Sequence, residues 1–266
     1  MSEEKKNPRW TDNPPDPQLH GAGRRSTRSL TTGDIDVVFQ PIVDLRTGMP
    51  RGLEALVRCK WQEYKNPVDL FVQAGEEHSC GRVGRLIREV TFERGVGMPL
   101  FVNIHPEELE SRWLVRPDDP LCFHDDELFL EITESATFEQ FDLCHDVLKE
   151  VCARTGAHLA VDDLGAGFSN LERIVDLEPK IVKLDHSLVR GIEKNPRKQI
   201  LISHLVRLSE DLGARVVVEG IETMDELSAV LDTGAHFGQG YLLARPSWPT
   251  PAINWPVQAG SPGGFR

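Results

Sequence analysis

Short apolar strands alternate with amphipathic helices along most of this chain, and this alternation restricts the possible folds more than any other feature of the sequence. The strand-like runs are nearly continuous in Val, Ile and Leu, which is typical of strands that are covered on both faces. Helices on both sides of a mostly parallel sheet supply that cover. About eight strand–helix units follow one another, which predicts an α/β protein folded as a TIM-type (β/α)8 barrel.

The predicted elements follow a regular order after an unusual start. The predicted strands lie at residues 36–45, 52–58, 100–103, 127–131, 159–161, 180–185, 215–219 and 239–243. The predicted helices lie at about 67–77, 82–94, 138–154, 197–212 and 224–232, with a further helix starting at Pro106. A tight Thr47-Gly48 turn joins the first two strands, which is typical of a hairpin. We therefore expect a modified barrel with an antiparallel first strand.

The composition predicts one folded domain between residues 30 and 249, with a tail at each end. Residues 1–29 are rich in Pro, Asn, Asp, Arg and Ser and hold few apolar side chains, which is typical of a disordered segment. The basic run at 24–28 is either a solvated linker or a regulatory or docking patch. Residues 250–266 carry several prolines, so they are expected to wrap loosely or to be disordered.

Charge, hydropathy and cysteine spacing exclude several classes of protein. The formal net charge is −12 at pH 7, which argues against a nucleic-acid polymer as partner but is compatible with a small anionic ligand bridged by metal ions. No apolar run approaches the length of a membrane span, and the N-terminus lacks the apolar core of a signal peptide, so we expect a cytoplasmic protein. The five cysteines form no C-x-x-C pair and no set typical of a zinc site, which predicts reduced thiols.

Strand after strand ends in a side chain able to bind a metal ion or to move a proton. These side chains belong to Glu54, Asn103, Glu131, Asp162, Asp163, Lys183, Glu219 and Gln239. In a (β/α)8 barrel the carboxyl ends of the strands converge on one face, so residues far apart in sequence meet there. A single carboxylate in such a place is usually a helix N-cap, but that reading does not explain the whole set.

The adjacent pair Asp162-Asp163 indicates what such a cluster does. Two carboxylates this close repel each other unless a cation lies between them; for an isolated pair, the alternative is a turn that caps the next helix. Oxygen ligands without His or Cys favour Mg²⁺ or Mn²⁺ over zinc. Two such ions hydrolyse phosphate esters, with Asp162 as the bridging ligand. Lys183 either orients the attacking water or is a snorkelling lysine.

The strand motifs resemble those of the EAL-domain cyclic di-GMP phosphodiesterases over about residues 33–249. The matching runs are Phe39-Gln40-Pro41-Ile42, Glu54-Ala55-Leu56-Val57-Arg58, Val102-Asn103-Ile104, Leu130-Glu131-Ile132-Thr133-Glu134-Ser135, Val161-Asp162-Asp163-Leu164-Gly165-Ala166-Gly167, Lys183-Leu184-Asp185, Glu219-Gly220-Ile221-Glu222-Thr223 and Gln239-Gly240-Tyr241. They occur in the order that the family shows.

The resemblance implies a role for each matched residue. Metal ligands would be Glu54, Asn103, Glu131, Asp162 and Asp163; catalytic groups Lys183, Glu219 and Asp163; substrate contacts Gln40, Leu56, Arg58 and Gln239; and loop-supporting residues Glu134 and Glu222. It further implies a homodimer that uses two Mg²⁺ or Mn²⁺ ions to hydrolyse cyclic di-GMP to the linear dinucleotide 5′-pGpG.

Some positions depart from the family pattern. Leu164, Ala166, Phe168 and Asn170 replace the usual residues of the loop after the aspartate pair, and His236 stands where an Asp is expected. The alternative function is a receptor module that binds cyclic di-GMP with weak or no catalysis. A barrel lyase that acts on carboxylate substrates fits the ligand types but not the order of the motifs.

Overall fold

The computed structural model of the protein describes residues 24–110, 113–133, 141–166 and 171–256. The strands are β1 Ile35–Asp44, β2 Pro50–Cys59, β3 Leu100–Asn103, β4 Leu128–Thr133, β5 His158–Leu164, β6 Ile181–Leu184, β7 Arg215–Val218 and β8 Phe237–Gly238. The helices are α1 Pro67–Glu76, α2 Cys80–Glu93, α3 Pro106–Glu110, α4 Phe141–Thr155, α5 Glu172–Leu177, α6 His186–Val189, α7 Pro196–Asp211 and α8 Met224–Leu231.

The strands close into one barrel in sequence order. Strand β1 is antiparallel to both of its neighbours, β2 and β8, while each pair from β2–β3 to β7–β8 is parallel. The predicted (β/α)8 barrel with an antiparallel first strand is therefore confirmed. The hairpin turn forms because Asp44 accepts from three successive backbone amides, and Gly48 adopts a φ of 73° that few other residues tolerate.

Local signals explain where the long helices begin. Pro196 opens α7 after Asn195, whose side chain accepts hydrogen bonds from the amides of Arg197 and Lys198. Helix α8 starts with a reciprocal capping box between Thr223 and Glu226. These caps satisfy amides that have no partner within the helix, which is why the predicted starts lie within a residue of the observed ones.

Three predicted strands differ from the observed ones in ways that concern the site. Strand β2 spans Pro50–Cys59 because it is paired along its length with the ten-residue β1, so the expectation that Glu54 ends a strand was wrong and Glu54 lies in mid-strand. Strand β5 extends beyond the predicted 159–161 to Leu164, so Asp162 and Asp163 belong to the strand. The last strand is Phe237–Gly238 instead of 239–243. The chain turns at Gly240, where a Cβ atom would lie 2.1 Å from the carbonyl oxygen of Ile221. Helices α5 and α6 were not predicted.

The predicted boundary at residue 30 needs correction. Leu30 and Thr27 are fully buried, and the hydroxyl of Thr27 lies 2.7 Å from both a Glu77 carboxylate oxygen and the hydroxyl of Ser79. Arg28 donates to the backbone carbonyl of Glu77. Residues 24–30 therefore pack onto α1 and the turn after it, whereas residues 1–23 of the predicted tail lie outside the described residues.

The C-terminal boundary also differs from the expectation. Asn254 donates its backbone N–H to the carbonyl of Leu243 at 2.7 Å, and the Trp255 ring lies so close to Gly48 that no Cβ fits there. Residues 253–255 therefore pack against the barrel. The remainder of the predicted tail, 257–266, lies outside the described residues.

Candidate active site

The alternation of side chains along each strand positions the site above an apolar plug inside the barrel. The buried plug residues are Ile42, Phe101, Phe129, Ala160, Ile181, Val217 and Phe237. For each of the last six plug residues, the residue two positions later in the sequence lies on the same face of the chain and is polar. These polar residues are Asn103, Glu131, Asp162, Lys183, Glu219 and Gln239. On the antiparallel β1 the order is reversed, so Gln40 precedes Ile42. The plug therefore forms the floor of the site.

Lys183 is the centre of the cluster. Its ammonium nitrogen lies 2.7 Å from Glu219 Oε1 and 2.8 Å from Glu131 Oε1. It lies 3.2 Å from Asp162 Oδ1 and 3.6 Å from Glu54 Oε2. Its side chain is only 1% exposed, so it is not a snorkelling lysine. It points into the barrel mouth, the end of the barrel above the plug where these polar side chains meet.

The buried carboxylates hold protons more tightly than usual. Burial raises the pKa of Glu131 well above its usual value, although the attraction of Lys183 opposes the shift. Burial likewise raises the pKa of Glu219 to about 8, against the same opposing charge. Burial alone would lower the pKa of Lys183, but its four carboxylate neighbours outweigh burial and raise it. The lysine is therefore charged, and the negative charge around it exceeds what it can neutralise.

The Asp162-Asp163 pair is brought to one centre by a bulge at the end of β5. The pairing of β5 with β6 shifts register between Val161 and Leu164, and Asp163 adopts a φ of 61°, a left-handed conformation that costs free energy for a residue with a Cβ. As a result, carboxylate oxygens of Asp162, Asp163 and Glu219 lie within 4.8 Å of one another. Burial and the adjacent Asp162 charge raise the pKa of Asp163 well above its usual value.

Amide side chains join the two ends of the chain across the mouth. The Gln239 amide nitrogen lies 2.6 Å from Glu54 Oε2 and 3.1 Å from Gln40 Oε1. Gln40 in turn donates to the carbonyl of Ala244 at 3.0 Å. On the other side, the Asn103 amide nitrogen lies 3.3 Å from Glu54 Oε1 and 3.2 Å from a Glu131 oxygen. These bonds orient Glu54 from both sides.

The remaining predicted site residues are arranged less closely. Leu56 and Arg58 follow Glu54 on the same face of β2 and are half-buried. Burial lowers the pKa of Arg58, and one of its nitrogens donates to the Val57 carbonyl at 2.8 Å. Glu222 is exposed, and its contact with the loop stays a prediction. Glu134, Phe168 and Asn170 lie outside the described residues.

His236 belongs to the opposite end of the barrel. It precedes β8, accepts a hydrogen bond from the backbone N–H of Val216 at 3.1 Å, and lies 3.0 Å from a Glu210 oxygen. The substitution at this position therefore affects how α7 packs on the sheet, away from the barrel mouth.

The charge balance of the mouth suits two divalent cations. Among the residues that the structure describes, five carboxylates converge there, those of Glu54, Glu131, Asp162, Asp163 and Glu219, and Lys183 contributes one positive charge. Fully ionised, the cluster carries a net charge of five minus one, or four negative charges. Two divalent ions carry four positive charges, and oxygen ligands are those that Mg²⁺ and Mn²⁺ prefer. The residues present therefore fit a two-ion site.

The plug is the part of the site that sequence reasoning missed. A signal for it exists, because six of the polar residues near strand ends are preceded, two positions earlier, by an apolar residue that belongs to the plug. Phe101 and Phe129 stack at a centroid distance of 4.3 Å and close the barrel below the acidic cluster. That closure keeps water from reaching the carboxylates from beneath.

The fold and the site together define an α/β barrel whose acidic mouth suits divalent cations. The EAL domain family model matches residues 24–246 of this chain. The chain therefore belongs to the EAL domain family, as its strand motifs predicted.

Several known proteins are similar to this chain. It is 31% identical over 233 residues to the cyclic di-GMP phosphodiesterase PA2567 of Pseudomonas aeruginosa, covering 82% of this chain and 39% of that protein. It is also 31% identical to the cyclic di-GMP phosphodiesterase RocR of the same organism, covering 82% of this chain and 59% of RocR. The manganese and cy-diGMP complex of Klebsiella pneumoniae BlrP1 at pH 6 superposes with a TM-score of 0.67 at 30% identity, over 80% of this chain and 56% of that one.

The chain thus spans less than two thirds of the length of these relatives. Among the helices in the described part of the chain, none has both the length and the apolar composition that crossing a membrane requires.

Proposed function

We propose that this protein hydrolyses cyclic di-GMP to the linear dinucleotide 5′-pGpG with the help of two Mg²⁺ or Mn²⁺ ions. The observation that carries the proposal is the convergence of five carboxylates, Asn103 and one buried lysine in the barrel mouth. It is supported by relatives whose names describe this activity and by a similar structure that contains manganese and the dinucleotide.

The ions would be held by Glu54, Asn103, Glu131, Asp162 and Asp163. When bound, they would neutralise the phosphate and make a water molecule a stronger nucleophile. In the reaction, water attacks phosphorus, the bond from phosphorus to the 3′ oxygen breaks, and the 3′ oxygen takes up a proton. The products are a 5′ phosphate and a free 3′ hydroxyl.

Lys183 and Glu219 form the proton-handling pair of the site. Their contact at 2.7 Å holds the Glu219 carboxylate in place, beside the proposed metal ligands Glu131 and Asp162, which contact the same ammonium group. Glu219 accepts a proton from the attacking water, while the Lys183 ammonium stabilises the negative charge that develops beside it.

Hydrogen-bond donors at the edge of the barrel mouth bind the substrate. Arg58 presents a guanidinium that suits a phosphate oxygen, and Gln40 and Gln239 form a rigid amide pair beside Glu54. Leu56 adds a half-buried apolar wall between Glu54 and Arg58. Such directed contacts favour the cyclic dinucleotide over a generic phosphodiester.

The test is to incubate the chelator-stripped protein with cyclic di-GMP and Mg²⁺ or Mn²⁺ and to separate the products by chromatography. We expect 5′-pGpG to accumulate in the wild type and not in Glu54→Gln, which keeps a hydrogen-bonding side chain but removes one ligand charge. Lys180→Met, an exposed lysine three residues before Lys183, is the matched control. Binding of the dinucleotide without any product would establish the receptor function instead.

A homodimer in the cytoplasm completes the proposal. Leu201, Leu208 and Leu212 recur at intervals of seven and four residues along and just after α7 and are 46%, 39% and 42% exposed, which is an apolar stripe that a second copy would cover. Light scattering of the purified protein should give twice the chain mass, and Leu208→Lys should shift it to the monomer. A monomeric wild type would contradict the dimer without affecting the proposed activity.

A further inference from the structure

A second cluster of metal-binding side chains lies outside the barrel. Sulfur of Cys80, a ring nitrogen of His105 and a carboxylate oxygen of Glu107 lie within 4.8 Å of one another. Cys80 opens α2, His105 follows β3, and Glu107 lies in α3. Cys80 and the neighbouring Phe71 belong to the apolar layer between the sheet and the helices, so this cluster is separate from the mouth.

We propose that Cys80, His105 and Glu107 bind one Zn²⁺ ion, or another thiophilic divalent ion of that class. A set of one sulfur, one nitrogen and one oxygen suits zinc and does not suit Mg²⁺ or Mn²⁺. Three protein ligands with a fourth position for water is an arrangement that zinc commonly adopts. The cysteine spacing alone indicated no zinc site, because the histidine and the glutamate reach Cys80 only through the fold.

The geometry needs little change to accept the ion. Tetrahedral zinc with ligand bonds of about 2.0–2.3 Å places its ligand atoms about 3.3–3.6 Å apart, so separations of up to 4.8 Å must contract by about 1.2–1.5 Å at most. Glu107 is half-buried, and its side chain has more rotatable bonds than those of the other two ligands. His105 is also half-buried, whereas Cys80 is fully buried, so the ion can enter from the side of the helix α3.

The position of His105 is fixed before any ion binds. Its ring stacks on Phe71 at a centroid distance of 5.4 Å and an interplanar angle of 6°. Its backbone N–H donates to Glu108 Oε1 at 3.1 Å, and Glu108 is itself held by Arg88 at 2.7 Å in the buried core. A prepositioned ligand loses less conformational freedom on binding.

Two features oppose the ion. His105 Nδ1 accepts a long hydrogen bond of 3.3 Å from the Glu107 backbone N–H, and that bond is lost whichever ring nitrogen binds. Burial, together with the charge and hydrogen bond of Glu107, raises the pKa of the Cys80 thiol, so zinc must displace a proton from sulfur. Without the ion, the cluster is a thiol–carboxylate hydrogen bond beside a stacked imidazole, and this is the competing outcome.

Cobalt absorption separates the two outcomes. Co²⁺ is added to the chelator-stripped protein in the presence of excess Mg²⁺, which occupies the oxygen ligands of the mouth. We expect a near-ultraviolet sulfur-to-cobalt charge-transfer band that saturates at one ion per chain and is displaced by Zn²⁺. Cys80→Ser should abolish the band, and Glu107→Gln should weaken binding at least tenfold. Cys152→Ser, at a half-buried cysteine on α4, is the matched control and should retain the band.

The absence of a band in the wild type, or a band retained in Cys80→Ser, would overturn the proposal. If Cys80→Ser does not fold, X-ray absorption of the zinc-loaded double variant Cys122→Ser/Cys152→Ser decides. One sulfur in the zinc shell supports the site, and a shell of oxygen and nitrogen alone overturns it. Hydrolysis of cyclic di-GMP by Cys80→Ser should match the wild type, so this test and the test of the proposed function fail independently.

Discussion

Replacing Lys183 by methionine should make the stability of the metal-free protein depend steeply on pH. The substitution keeps most of the buried apolar stem but removes a positive charge that lies 2.7–3.6 Å from four carboxylates. Removing one partner of a buried ion pair costs about 3–5 kcal/mol when the other partner stays charged. We expect that loss of unfolding free energy at pH 7.5 in the presence of a chelator.

The loss of unfolding free energy should be smaller at low pH, because a carboxylate can bind a proton when the positive charge of the lysine is missing. Without the lysine, their pKa values in the folded protein rise further above those of the unfolded chain, so the folded state binds the extra proton. Each additional bound proton changes stability by about 1.4 kcal/mol per pH unit. Over two pH units this amounts to about 2.7 kcal/mol, so the loss at pH 5.5 should be only about 0–2 kcal/mol.

Urea unfolding followed by circular dichroism at the two pH values measures both losses. Lys180→Met at the opposite end of β6 is the control and should change stability by less than about 0.5 kcal/mol at either pH. Saturating Mn²⁺ should restore part of the stability of Lys183→Met, because the ions supply the missing positive charge. An equal loss at pH 7.5 and 5.5 would refute the view that the lysine neutralises ionised carboxylates.

Three further substitutions test other parts of the structure. Glu54→Ala should lower the rate of cyclic di-GMP hydrolysis by orders of magnitude at saturating Mn²⁺. The melting temperature of the metal-free variant should be unchanged or higher, because the substitution removes one of several charges that repel one another. A lower melting temperature would indicate a structural role. Burial raises the pKa of Glu219 to about 8, so the folded state retains a proton that the unfolded chain releases near pH 4.5. The unfolding free energy of the metal-free protein should therefore fall by up to about 2–3 kcal/mol as the pH rises from 6 to 8. Glu219→Gln should flatten that decline in chelator-treated samples, and an unchanged slope would show that another group titrates. Arg88→Met leaves two buried carboxylates without their cation and should cost about 3–5 kcal/mol in urea unfolding, whereas the more exposed Arg85→Met should cost about 1 kcal/mol or less; similar losses would contradict the distinction.

Most residues of the mouth could be predicted because barrel geometry converts a regular sequence pattern into one place in space. Asn103, Glu131, Asp162, Lys183 and Glu219 each lie at or near the C-terminal end of a short strand, and parallel strands in a barrel end on the same face. Which of them bind metal and which move protons stays a prediction from the family resemblance and the charge balance.

The features that escaped prediction depend on partners distant in sequence. The placement of Glu54 at a strand end was wrong because β2 pairs with β1 on both sides of that residue, and composition alone does not show such pairing. Residues 24–30 look like a tail in composition, yet their polar side chains are satisfied by Glu77 and Ser79 about 50 residues later. In the same way, nothing near Cys80 in sequence announces that His105 and Glu107 will lie beside it.

The contacts between the first and last strands affect the order in which the barrel folds. Gln239 contacts Gln40 and Glu54 across 199 and 185 residues of chain, and β8 pairs with β1 through only two residue pairs. Contacts of such long range form late, because the loop they close is large. On the ribosome the β1–β2 hairpin can form early, but the edge of β1 that faces β8 stays unpaired until β8 has been synthesised. Assembly of the barrel mouth and protection of that edge from aggregation therefore occur in the same step.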